Sequence, residues 1–134
     1  MVIVDTNVLI DVLQDDPIWA QWSSQQLEMH AQAQPLVINP VIYSELSVSY
    51  STFELLEAAI NVMQLQFVET PREALHLAGK AYARYRRSGG AKANVLTDFF
   101  IGAHASVAGA ALLTRDIRRY ATYFPTVQLI SPYQ

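Results

Sequence analysis

The chain has 134 residues, 51% of them hydrophobic and 16% charged, with no cysteine and a net charge of -3. Folding at this length removes roughly two-thirds of the unfolded chain's surface from water, so one domain over residues 1–134 can hold a core and extended disorder is excluded. Disulfides, thiolate metal ligands and cysteine nucleophiles are excluded as well.

In chain order, residues 2–5 form a β-branched run with the length of a buried strand, and residues 7–13 follow with apolar spacing at helical intervals. Asp16-Pro17 reads as a helix cap with proline at the first helical position, opening a helix to about residue 33. Residues 36–39 suit a second strand. Residues 40–50 and 51–63 read as two successive helices, the second announced by a capping box from Ser51 to Glu54. A third short strand is expected at 67–69. The box Thr70-Pro71-Arg72-Glu73 then opens a helix whose Leu75, Ala78, Tyr82 and Tyr85 share one face, and Ser88-Gly89-Gly90 ends it. A nearly all-apolar helix runs from Asp98 to about residue 108. A strand at 111–114, a short helix at 117–123 and a last strand at 127–130 complete the chain. Strands alternating with helices predict an α/β fold, with a central parallel sheet of about four or five short strands and helices on both faces.

The opening residues lack the basic segment of a secretory signal, and no apolar run approaches the roughly 18–20 residues of a membrane helix. A cytoplasmic protein with no membrane partner is expected. The basic residues gather in two stretches, 80–92 and 115–119, which leaves room for an anionic partner despite the acidic balance.

In a parallel sheet the ligand site lies beyond the carboxyl ends of the strands. Asp5 closes the first strand and Asp116 follows the one ending at Thr114, so chain order delivers both acids to that edge. Each alone reads equally well as a turn residue or a helix cap, and Asp98 as the cap of its apolar helix. Glu45 interrupts an apolar helical stripe, where a lone carboxylate costs several kcal/mol unless paired, protonated or bound to a metal. One explanation covers all of them: carboxylates gathered at the mouth of an apolar sheet need a divalent cation to cancel their repulsion. Oxygen donors without cysteine or paired histidine select a hard ion such as Mg²⁺ or Mn²⁺. His30, His76 and His104 have no site-like spacing and read as packed or surface residues.

Four segments carry a family resemblance: Val4-Asp5-Thr6-Asn7-Val8-Leu9-Ile10-Asp11, Tyr43-Ser44-Glu45-Leu46, Asp98-Phe99-Phe100-Ile101-Gly102-Ala103-His104-Ala105 and Leu112-Leu113-Thr114-Arg115-Asp116. In order and spacing they resemble the successive motifs of PIN-domain nucleases, over essentially the whole chain. The resemblance implies a PIN-like fold and a catalytic quartet of Asp5, Glu45, Asp98 and Asp116. Asp5, Asp98 and Asp116 would be the metal ligands, with Asn7 and Thr114 in support; Asp11 is left outside the site. The short, insertion-free form resembles toxins of the VapC type, which implies metal-dependent endoribonuclease activity on RNA, a homodimer and a VapB-like antitoxin partner. Arg86, Arg87, Lys92 and Arg115 are candidate RNA contacts. Two rivals stand beside this reading. A phosphatase of the haloacid dehalogenase type wants a second acid two residues after the first, where this chain has Asn7; a PIN-fold RNA- or partner-binding module would keep the fold without turnover.

Overall fold

The computed structural model describes residues 1–91 and 95–133. Its sheet is built from β1 (Val2–Val4), β2 (Leu36–Ile38), β3 (Gln66–Phe67), β4 (Ala111–Leu113) and β5 (Leu129–Ile130), all parallel, in the order β3-β2-β1-β4-β5. The register sets Val2 beside Leu36 on one side and Ala111 on the other. Every residue of β1 and β2 is buried, because helices cover both faces and leave no side for polar alternation. The strand order reverses direction at β1, between β2 and β4, so the crevice beyond the ends of β1 and β4 is the topological switch point.

The helices are α1 (Thr6–Leu13), α2 (Ala20–Ala31), α3 (Pro40–Ser47), α4 (Phe53–Val62), α5 (Arg72–Arg87), α6 (Leu96–Ala108) and α7 (Arg118–Tyr123). Several starts differ from the sequence expectation. Asp16 accepts from Ile18 N and Trp19 N, each at 2.9 Å, in a tight turn, and α2 proper begins only at Ala20. Thr52, not Ser51, caps α4 through Leu55 N at 3.2 Å. No capping box forms at α5, where Pro71 takes the cap position and the Thr70 hydroxyl is buried without a partner among the described residues. The third strand is set at Gln66–Phe67, although Val68 N still donates to Ile38 O at 2.9 Å. Gly109 ends α6 in the left-handed conformation, φ 63°, which glycine adopts without a Cβ clash.

The packing of α5 on α6 is aromatic. Phe99 lies 5.5 Å from Tyr82, 5.4 Å from Tyr85 and 5.2 Å from Tyr123, ring centre to ring centre. Gly102 on α6 is the point of closest approach: a methyl there would overlap the Phe124 ring and come within 3.0 Å of Tyr120. This contact seats α7 against α6 and so fixes where Tyr120 points.

Candidate active site

Asp5 is the hub. It leaves β1 in extended conformation and caps α1, with Oδ1 accepting from Thr6 N at 2.7 Å. The cap role is therefore real, but it engages only one oxygen of this side chain. Oδ2 accepts from Tyr120 OH at 2.8 Å, Thr114 Oγ1 at 2.9 Å and, at 3.5 Å, Asn7 Nδ2. Burial outweighs those donors, which lower the pKa, and raises Asp5 to about 6, with the nearby Glu45 charge adding to the rise.

Asn7 and Thr114 stitch α1 to the end of β4. Asn7 Nδ2 donates to Thr114 Oγ1 at 3.3 Å, while its Oδ1 accepts from Arg115 N at 3.2 Å. Thr114 Oγ1 also accepts from Asp116 N at 3.1 Å. Both expected supporting residues thus hold Asp5 and the Asp116 loop in one frame. Glu45 arrives from α3, whose start is fixed by Asn39 accepting from Ile42 N at 2.9 Å. Its Oε1 accepts from Thr6 Oγ1 at 2.6 Å, which ties it to the first residue of α1.

Asp98 lies in the first turn of α6 rather than at its cap, since α6 begins at Leu96. Burial, then repulsion from Asp5, raise it to about 7, only partly offset by Arg119. That arginine is a weak partner, with Nη1 at 3.4 Å and Nε buried without a hydrogen-bond acceptor among the described residues. Asp116 behaves otherwise. It turns to Arg118, at 3.2 and 3.3 Å, and this contact holds its carboxyl below the usual range.

The four acids are therefore near enough to feel one another, but their carboxylates are not equally directed into the crevice. Among the described residues, no three acidic, histidine or cysteine side chains are set to enclose a metal ion together. Buried Asp5 and partly buried Asp98 form a repelling pair. Their chemistry fits a hard divalent ion: oxygen donors only, withdrawn from water and short of cationic partners.

Of the candidate RNA contacts, Arg86 and Arg87 are exposed in the last turn of α5, beside the first turn of α6 through the Tyr85–Phe99 contact. Lys92 lies outside the described residues. Arg115 is engaged elsewhere, its Nε and Nη2 donating to Asp11 at 2.7 and 2.9 Å. Asp11, buried and also accepting from Ser23 Oγ at 3.0 Å, is a structural anchor outside the acidic crevice. His104 is packed as expected: Asn39 Nδ2 meets its Nδ1 at 3.1 Å, and burial depresses its pKa. Because Asn39 Oδ1 already accepts from Ile42 N, the amide orientation is set and His104 Nδ1 is the acceptor.

Tyr120 is the site residue that sequence patterns do not disclose. On its short helix it reads as a core aromatic, and it is fully buried as one. Its hydroxyl, raised well above 10 by burial and by the surrounding carboxylates, stays protonated and donates to Asp5.

A family model described as PIN domain matches residues 2–125. No curated protein matches the chain in sequence. Among solved structures, the fold is similar to a chain of VapBC2 from Rickettsia felis bound to a DNA fragment from its promoter, with a TM-score of 0.74, 18% identity and 98% of each chain covered. A chain of VapBC-1 from nontypeable Haemophilus influenzae gives 0.72, 18% identity and 98% of each chain. One from a toxin–antitoxin complex of Klebsiella pneumoniae gives 0.71 and 20% identity, over 100% of this chain and 99% of that one.

Proposed function

From the premise that this chain belongs to the PIN-domain family, whose members are generally nucleases using divalent metal ions, we propose that it is an Mg²⁺- or Mn²⁺-dependent endoribonuclease. The observation that carries this reading is the repelling pair of buried Asp5 and partly buried Asp98, raised to about 6 and about 7 at the switch point of a parallel sheet. Capping α1 accounts for one oxygen of Asp5 but not for a second acid near enough to repel it. They destabilise the metal-free protein and suit a site that awaits a cation.

Asp5 and Asp98 would hold the ion, joined by Asp116 once its exposed pair with Arg118 opens. A bound divalent ion there supplies charge to the phosphate, acidity to a water and stabilisation to the leaving oxygen. The chain's own residues do the positioning. Thr114 and Tyr120 occupy Asp5 Oδ2, so the carboxylate presents its remaining lone pair from Oδ1. Thr6 holds Glu45 by Oε1, and this carboxylate is the base placed to accept a proton from an attacking water. Arg86 and Arg87, exposed in the last turn of α5, would meet the RNA backbone.

The similar solved structures are toxin–antitoxin complexes, and this supports a toxin paired with a VapB-like antitoxin; a homodimeric form belongs to the same proposal and rests on the family resemblance alone. No helix among the described residues is long and apolar enough to cross a membrane. We place its action in the cytoplasm, where RNA is the substrate. The test is RNA cleavage by purified protein in Mg²⁺ or Mn²⁺. Chelator should abolish it and Asp98→Asn should reduce it by orders of magnitude, since a positioned ion contributes several kcal/mol of barrier lowering. Cleavage that persists in excess chelator refutes the metal mechanism, and a pure binding module would cleave nothing.

A further inference from the structure

A cavity of about 410 Å³ is lined by Arg115, Asp116, Ile117, Arg118 and Tyr133, and so shares Asp116 with the acidic crevice. Its volume falls within the roughly 300–1,000 Å³ of small-ligand clefts. Apart from that carboxylate, its polar lining is aromatic and cationic, unlike that of the crevice. Tyr133 is 56% exposed, and its ring meets Trp19 edge-on at 6.0 Å. Trp19 in turn meets Trp22 at 6.4 Å, and the Arg115 guanidinium lies over Trp19, 5.5 Å from the ring centre.

The Arg115 guanidinium is fixed. Two bonds to Asp11, whose side chain is 2% exposed, clamp its plane, whereas an ordinary surface arginine samples many rotamers. Arg118 differs, with a side chain 75% exposed at the rim and only a loose pair to Asp116. A fixed guanidinium plane and an exposed tyrosine ring are the two kinds of flat surface on which unpaired nucleobases stack. The exposed Arg118 guanidinium, held only by its loose surface pair with Asp116, can turn to the phosphate attached to such a base.

We propose that this cavity is a nucleobase subsite, which takes one unpaired base of an RNA strand and so sets where the strand enters the acidic crevice. The proposal rests on the ribonuclease reading for the identity of the polymer, but its stacking surfaces do not depend on turnover. It also gives the Asp11–Arg115 pair a purpose: holding a stacking plane still.

The chain's two tryptophans, Trp19 and Trp22, both lie in this cluster, so intrinsic fluorescence reports on it directly. The experiment titrates the full chain, in chelator, with 5′-AMP, with 5′-UMP and with ribose 5-phosphate, and measures RNA cleavage in Mg²⁺ separately. Both nucleotides should quench saturably and ribose 5-phosphate should not. Tyr133→Ala should weaken nucleotide binding roughly tenfold, while Tyr133→Phe, which keeps the ring, stays within about twofold. Arg118→Ala should weaken nucleotide binding but leave the advantage of nucleotides over ribose 5-phosphate intact. Equal quenching by ribose 5-phosphate, or unchanged affinity in Tyr133→Ala, overturns the subsite. Quenching without any RNA cleavage keeps the subsite and removes the nuclease reading; cleavage without quenching does the reverse.

Discussion

Replacing Asp98 by Asn should stabilise the metal-free protein, by an amount that depends on pH. Asp98 is held up to about 7 against an ordinary 3.8. At about 1.4 kcal/mol for each tenfold change in proton affinity, that gap corresponds to about 4 kcal/mol. The side chain is 31% exposed, and solvent screening brings the figure to about 2 kcal/mol. Because the folded pKa is raised, this stability is fully present below about pH 4, is lost as pH rises through about 7 and stays lost above. The Asn variant, which cannot ionise, should therefore match wild type near pH 4 and gain progressively up to about pH 7. For a chain of this size the gain amounts to roughly 6–8 °C in melting temperature at about pH 8. The assay is a set of thermal melts of both proteins in chelator across that range. Adding Mn²⁺ should raise wild type more than the variant, because the ion binds the folded form alone. A variant that melts no higher than wild type at pH 8, or gains equally at every pH, would refute the argument that burial and Asp5 strain this carboxylate.

Further predictions concern the rest of the frame. Arg115→Ala should cost about 3–5 kcal/mol in urea unfolding, because it strands the buried Asp11 carboxylate, whereas Arg118→Ala at an exposed pair should leave the midpoint unmoved. Gly102→Ala should destabilise by about 1–3 kcal/mol through the Phe124 ring, seen as a lower melting temperature. Alanine at both Arg86 and Arg87 should weaken RNA binding for every sequence and flatten its salt dependence by roughly one unit of slope per lost phosphate contact; an unchanged slope assigns them to solvent.

Much of the sheet was legible because β1, β2 and β4 are buried on both faces, and such strands read as continuous apolar runs rather than alternations. Asp5 and Asp116 follow strands directly, so their delivery to one edge needed only chain order. The helix starts were less legible. Thr70 and Glu73 satisfy a capping box by spacing, yet Pro71 holds the cap position and the box does not form. Pairings across elements were not legible at all: Asp11 finds Arg115 across 104 residues of chain, and Tyr120 reaches Asp5 across 115. Both depend on how α1, β4 and α7 are seated, which no local window contains.

The Asp5–Tyr120 bond has a further consequence for a chain growing on a ribosome. Asp5 is made well before Thr114 and Tyr120, its two short hydroxyl partners, which follow it by 109 and 115 residues. Until β4 arrives, β1 has no neighbour on that side and the crevice does not exist. No nascent fragment that stops before α7 can form the Asp5–Tyr120 bond, so the acidic centre is completed only once α7 docks.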